Sequence, residues 1–185
     1  MKHSNLQCLK TITFIWGILF LISGCGTQTG NGVVSVEFSA YSAGALARLG
    51  LPPKSVTSVK MCFKRLRFKA TSTSGEDNID LPLGEVTLDS SGTSLSQVTI
   101  PSGTYTRIEF DLNKDCASGK SLQIENSSGT FTTDSTTTIK FDGTFTMTQT
   151  HRVLSLGIQN IINKLNEVNS NGQLKTKAEE ASGSF

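Results

Sequence analysis

The sequence predicts an all-β chain: an antiparallel β-sandwich closed by a short C-terminal amphipathic helix. Three observations carry this. From Val34 onward, apolar residues recur at every second position in short runs, the period of a strand with one buried face. Gly, Ser, Pro and Asp separate these runs at regular intervals, as in a sandwich of short strands. Only Ile158, Ile161, Ile162, Leu165 and Val168 repeat at a clear helical spacing.

The chain opens differently. Lys2 and Lys10 are the only Lys, Arg, Asp or Glu residues before Cys25, and Thr11–Ile22 is an apolar run of 12 residues. The small pair Ser23-Gly24 follows, which completes the three parts of a secretory signal over residues 1–24. A membrane-spanning helix needs about 20 residues, so the run is too short for one. Ile22-Ser23-Gly24-Cys25 resembles the lipobox of bacterial lipoproteins. The resemblance implies cleavage before Cys25, a thioether-linked lipid on its thiol and acylation, such as palmitate, of the freed amine. Two or three chains, at about 0.8 kcal/mol per buried methylene, hold a protein durably on a membrane. By the same resemblance Gly26, where an Asp would signal retention, implies the outer membrane as the address in the cell envelope. Gly26–Gly32 has no large apolar residue and is expected to be a flexible tether.

The whole chain has 17 basic and 15 acidic residues, and losing Lys2 and Lys10 brings the two to balance. Nothing in the global charge argues for a nucleic-acid partner. Cys8 belongs to the leader and Cys25 to the anchor. Cys62 and Cys116 remain in an exported chain, where disulfides persist, and are expected to pair. Closing their loop of about 55 residues stabilises by about 4 kcal/mol on the chain-entropy model. The alternative is two separate buried thiols.

Val34, Val36 and Phe38 mark the first strand, and Ala43–Leu49 fits a helical turn ended by Pro52-Pro53. In Ser55–Lys69, Val59, Met61 and Phe63 fall on odd positions but Leu66 and Phe68 on even ones. Side chains alternate strictly along a strand, so one extra residue near Lys64-Arg65, a β-bulge, is needed to bury both sets on one face. The alternative is partial burial of both faces. Lys60, Lys64, Arg65, Arg67 and Lys69 interleave with aromatics, a mixture also found in nucleic-acid readers. The simpler reading puts the aromatics in the core and the charges on a protected strand edge. Ala70–Asn78 reads as a polar loop. Ile79–Leu81, Val86–Leu88 and Leu95–Ile100 read as short strands broken at Pro82, Gly84 and Ser90-Ser91-Gly92.

Ile100-Pro101-Ser102-Gly103-Thr104-Tyr105 turns into a strand whose Ile108, Phe110 and Leu112 form one buried row. This aliphatic-Pro-x-Gly-x-Tyr-x-x-Ile-x-Phe entry, with the earlier Val59, Met61, Phe63, Leu66, Phe68 strand, resembles the prealbumin-like β-sandwiches of bacterial surface proteins. The closest likeness is to a lipoprotein domain family of unknown function. It covers roughly Val34 to Ile158, and implies a prealbumin-like or Ig-like fold but no activity.

Leu122–Glu125, Thr130–Thr133, Thr136–Phe141 and Val153–Leu156 complete the strands. Asp142-Gly143 is a hairpin signal, and the parity of Phe141 against Phe145 asks for a loop of odd length there. A helix over Ile158–Val168, capped near Asn169–Gly172, is expected to pack on the sandwich, so that the domain spans residues 33–168. Residues 169–185 read as a polar tail that frays.

Catalytic chemistry is sparse. Asp111-x-Asn113-x-Asp115 opens like a calcium loop, but Cys116 and Leu122 stand where that motif needs Gly and Glu. His151 is the only histidine after the leader, so no zinc set is expected once Cys62 and Cys116 pair. It is read as a solvated residue at a strand start, and no serine sits in a G-x-S-x-G turn. The reading is therefore a non-enzymatic, lipid-anchored envelope protein with a structural or glycan-binding role and no cofactor. Its expected partners are the membrane, through Cys25, and an envelope protein or glycan. The alternatives are an envelope or adhesion assembly component docking through the C-terminal helix, and a hydrolase using two acidic residues drawn from distant strands.

Overall fold

The computed structural model describes residues 30–42, 55–70, 76–148 and 150–185. The leader, Cys25, the first part of the tether, and the turn expected over 43–49 lie outside them. The strands are β1 (Asn31–Phe38), β2 (Val56–Ala70), β3 (Glu76–Thr87), β4 (Thr93–Pro101), β5 (Gly103–Leu112), β6 (Leu122–Asn126), β7 (Gly129–Thr133), β8 (Thr137–Met147), β9 (Arg152–Leu156) and β10 (Ser182–Ser184). Two helices, α1 (Gln159–Leu165) and α2 (Asn171–Glu180), lie between β9 and β10. The fold is an all-β sandwich. One sheet has the order β4-β1-β9; the other runs β10-β8-β5-β2-β6-β7, with β3 paired to β2. Most pairings are antiparallel, but β1–β9 and β8–β10 are parallel.

The expected bulge in β2 is present: its register with both β3 and β5 shifts between Phe63 and Arg65. The shift restores phase, so Val59, Met61, Phe63, Leu66 and Phe68 are all buried. β2 is central, however. β3 lines one edge, and β5 and β6 follow each other along the other, because Lys60 pairs with both Thr87 and Gln123. Its cations therefore do not guard a strand edge. Cys62 sits at the gap between β5 and β6: Phe63 pairs with Leu112 and Met61 with Leu122. Cys62 N–H donates to Ser121 O, and Asn113 N–H donates to Cys62 O. β5 and β6 are thus one interrupted strand, from which residues 113–121 loop out. β7 and β8 answer as the second arm, with Thr133 opposite Leu122 and Thr137 opposite Leu112.

The core lies between the sheets. Phe38 of the small sheet packs among Phe63, Phe110 and Phe141 of the large one, at 6.2, 5.5 and 5.6 Å between ring centroids. Burying each such side chain stabilises by roughly 1.5–3 kcal/mol. Ile158, Ile161, Ile162, Leu165 and Val168, all fully buried, bring α1 and the turn after it into the same cluster.

Five expectations about the elements are corrected. Asn31 and Gly32, read as tether, belong to β1 and pair with Pro101 and Ile100. The separate strands expected around Pro82 are one strand, β3, which also takes in Glu76–Asn78 of the expected loop. Pro82 is tolerated because β3 is an edge strand and residues 81–83 bulge opposite Lys64, between the pairs Phe63–Gly84 and Arg65–Asp80. Asp142-Gly143 is no hairpin: β8 runs through it, and its register with β5 slips between Tyr105 and Arg107. Gly143 is there for close approach, since a Cβ would lie 2.6 Å from Phe185 O. Finally, 169–185 is not a frayed tail. Leu174 and Ala178 of α2 are fully buried, β10 pairs with β8, and Phe185 packs edge-on against Phe145. α1 accordingly ends at Leu165, with Asn166 as C-cap, short of the expected Asn169–Gly172. The Asn126 amide, which donates to Leu165 O and Val168 O, fixes the turn that follows.

Candidate functional site

Where β3 leaves the edge of β2, the fold opens a groove of about 480 Å³ lined by Tyr41, Val56, Thr57, Thr87, Leu88, Asp89 and Ser90. Three chain segments build it. Tyr41 follows β1 and is held by its N–H to Ser90 O at 2.9 Å. Val56 and Thr57 open β2, and the Thr57 hydroxyl donates to Glu125 O. Thr87–Ser90 leads from β3 to β4, anchored where Leu88 N–H donates to Val59 O at 2.8 Å. Asp89 accepts from the N–H and the hydroxyl of Ser91, both at 2.8 Å, and those bonds hold its carboxyl below the usual range. Burial pushes the Tyr41 phenol up, and the negative Asp89 adds to this. The groove therefore presents a half-buried aromatic ring, hydroxyls and one ionised carboxylate. No sequence signal announced it, because its parts lie on separate segments that only the fold brings together.

The other predicted positions are dispersed. Cys25 lies outside the described residues. Cys62 and Cys116 form a disulfide, with Cα atoms 5.9 Å apart, that staples the 113–121 loop to β2. Asp111 and Asp115 serve different partners. Asp111 accepts from Arg67 at 2.8 Å and from the Thr138 hydroxyl at 3.0 Å, while Asp115 bonds the Asn113 amide within the loop. No group of three His, Cys, Asp or Glu with metal-holding geometry occurs among the described residues. His151 is exposed, and its Nε2 meets Ser35 Oγ at 2.8 Å on the outer face of the small sheet. Among the described residues nothing bonds its other ring nitrogen.

The outer face of the large sheet carries a compact ion-pair network. Glu109, buried, lies 2.9 Å from Arg67, 3.7 Å from Lys69 and 3.8 Å from Arg107. Arg67 also reaches Asp111 at 2.8 Å, and Arg107 reaches Asp142 at 2.8 Å. Two carboxylates, Glu109 and Asp111, thus share one guanidinium rather than face each other across a cleft. No described helix is long and apolar enough to cross a membrane. Comparison with known proteins finds no matching family model, no matching curated sequence and no matching solved structure.

Proposed function

We propose that the chain is an exported lipoprotein, tethered through Cys25 to the outer membrane, whose sandwich binds glycan in the Tyr41–Asp89 groove. The observation that carries the binding role is the groove itself. An aromatic ring can stack on the apolar face of a sugar ring, while Asp89 and the hydroxyls of Thr87 and Ser90 accept and donate to its hydroxyls. The lipobox-like Ile22–Cys25 supports the anchor, and the Cys62–Cys116 disulfide supports an oxidising compartment. A nucleic-acid role has little support, because Arg67, Lys69 and Arg107 are turned to carboxylates of the same sheet. The hydrolase reading loses support for the same reason: Glu109 and Asp111 are closed onto Arg67. Docking through the C-terminal helix loses support because Ile161, Ile162 and Leu165 are spent on the chain's own core.

The test is a printed array of neutral and amino-sugar oligosaccharides, probed with the full chain and with Tyr41→Ala and Asp89→Asn variants. The expected result is a retained glycan class whose affinity falls about ten-fold or more in each variant, a loss of about 1.4 kcal/mol. Retention of no glycan, or variants that bind like the parent, would sink the proposal.

A further inference from the structure

β4 forms one edge of the small sheet: it pairs with β1 and has no second strand partner among the described residues. An open edge is a template for another strand, and natural proteins blunt such edges with charge, proline, bulges or cover. The other edges here are blunted. β3 bulges at Pro82 and its sequence carries Glu76, Asp77 and Asp80. β7 is covered by α2, whose Asn171 accepts from Thr132 N–H at 2.9 Å. β9 opens on a charge, Arg152, whose guanidinium donates to Thr146 O at 2.9 Å, and beyond its end Gly157 bridges to Ser184. β4 differs. Thr93–Pro101 contains no Lys, Arg, Asp or Glu, and its one proline is its last residue. A bulge at Leu95, where Val36 pairs with Ser96 and Glu37 with Ser94, leaves Ser96–Ile100 as the regular stretch.

We infer that the Ser96–Ile100 edge is a strand-addition interface for a second copy of this chain. The argument is self-complementarity. An antiparallel pair centred on Val98 sets Val98 against its own copy and Ser96 against Ile100, extending the inner faces of both sandwiches. On the outer face the exposed Gln97 meets Thr99 of the copy, polar against polar, with no like charges opposed. The two three-stranded sheets become one continuous sheet, and the two-fold axis makes the contact closed rather than filamentous. This inference does not rest on the glycan groove.

Analytical ultracentrifugation of the detergent-solubilised full chain tests it, with far-UV circular dichroism as the folding control. The parent is expected to be a dimer. Gln97→Lys with Thr99→Lys opposes two pairs of lysines across the axis and is expected to weaken the dimer about ten-fold or more. Gln97→Lys with Thr99→Glu opposes Lys to Glu at the same two places and is expected to restore it. A monomeric parent, a dimer indifferent to both variants, or a β4 edge occupied by a strand of a different protein would each overturn the inference.

Discussion

Asp142 and Glu167 show how single charges work on this surface. Hydrogen bonding and the charge of Arg107 hold the Asp142 carboxyl below its ordinary range, and Lys177 with Lys164 does the same for Glu167. A carboxylate depressed in the folded state contributes stability that is present above the unfolded value, near pH 4, and is lost as pH falls through the folded one. The thermal midpoint is therefore expected to hold from pH 7 to about 5 and to drop below pH 4. Asp142→Asn should flatten part of that drop, and an unchanged pH profile in the variant would contradict the assignment. Both side chains are half-exposed, so solvent screening keeps the effect small. Glu109 differs in kind. It is buried among three cations, where removing one partner of a pair strands the others' charge. Its location was legible only in part. The run Lys64–Lys69 read as a basic face, but its acidic complement, Glu109 and Asp111, comes from β5, which nothing in the local sequence pairs with it.

At the scale of elements, alternation was the dependable signal. The parity break between Phe63 and Leu66 locates the β2 bulge from sequence alone, because burial of one face leaves no other phase for the strand. The same signal was available in β8, where Ile139, Phe141, Phe145 and Met147 keep one parity and are all buried. Asp142-Gly143 outweighed it, since that dipeptide commonly marks a hairpin. What the sequence could not show is that Phe185, from the far end of the chain, needs the space that a Cβ on residue 143 would fill. α2 was missed for a related reason. Leu174 and Ala178 are its only buried residues, too few for a periodic signal, and docking onto β7 and β8 supplies the rest. The disulfide acts at this scale too, as it closes the gap between β5 and β6. Replacing Cys62 and Cys116 together by Ala is expected to cost about 4 kcal/mol in denaturant unfolding. Amide exchange should rise first at residues 113–121. A loss under 1 kcal/mol, or loosening that starts elsewhere, would show that the staple is not what holds the interrupted strand.

For the molecule as a whole, the two outer faces differ. The large sheet neutralises itself through Arg67, Lys69 and Arg107 against Glu109, Asp111 and Asp142. The outward-facing positions of the small sheet include Val33, Ser35, Gln97, Thr99 and Val153, and Glu37, near the end of β1, is the one charged side chain among its described outward-facing strand residues. One face is closed chemistry; the other, with the open β4 edge, is available for contact. Between Cys25 and the first residue of β1, Asn31, the chain spans at most about 20 Å when fully extended. On the proposed anchor the sandwich therefore sits against the bilayer, and its groove and β4 edge meet partners in that layer. The envelope address, and with it the layer in which the groove meets a ligand, depends on this attachment. Intact-mass spectrometry of the protein extracted from membranes of its own cells tests it most directly. The account predicts one species, residues 25–185 with a diacylglyceryl group and an additional acyl chain. An uncut chain beginning at Met1, or a processed chain free of lipid, would contradict it.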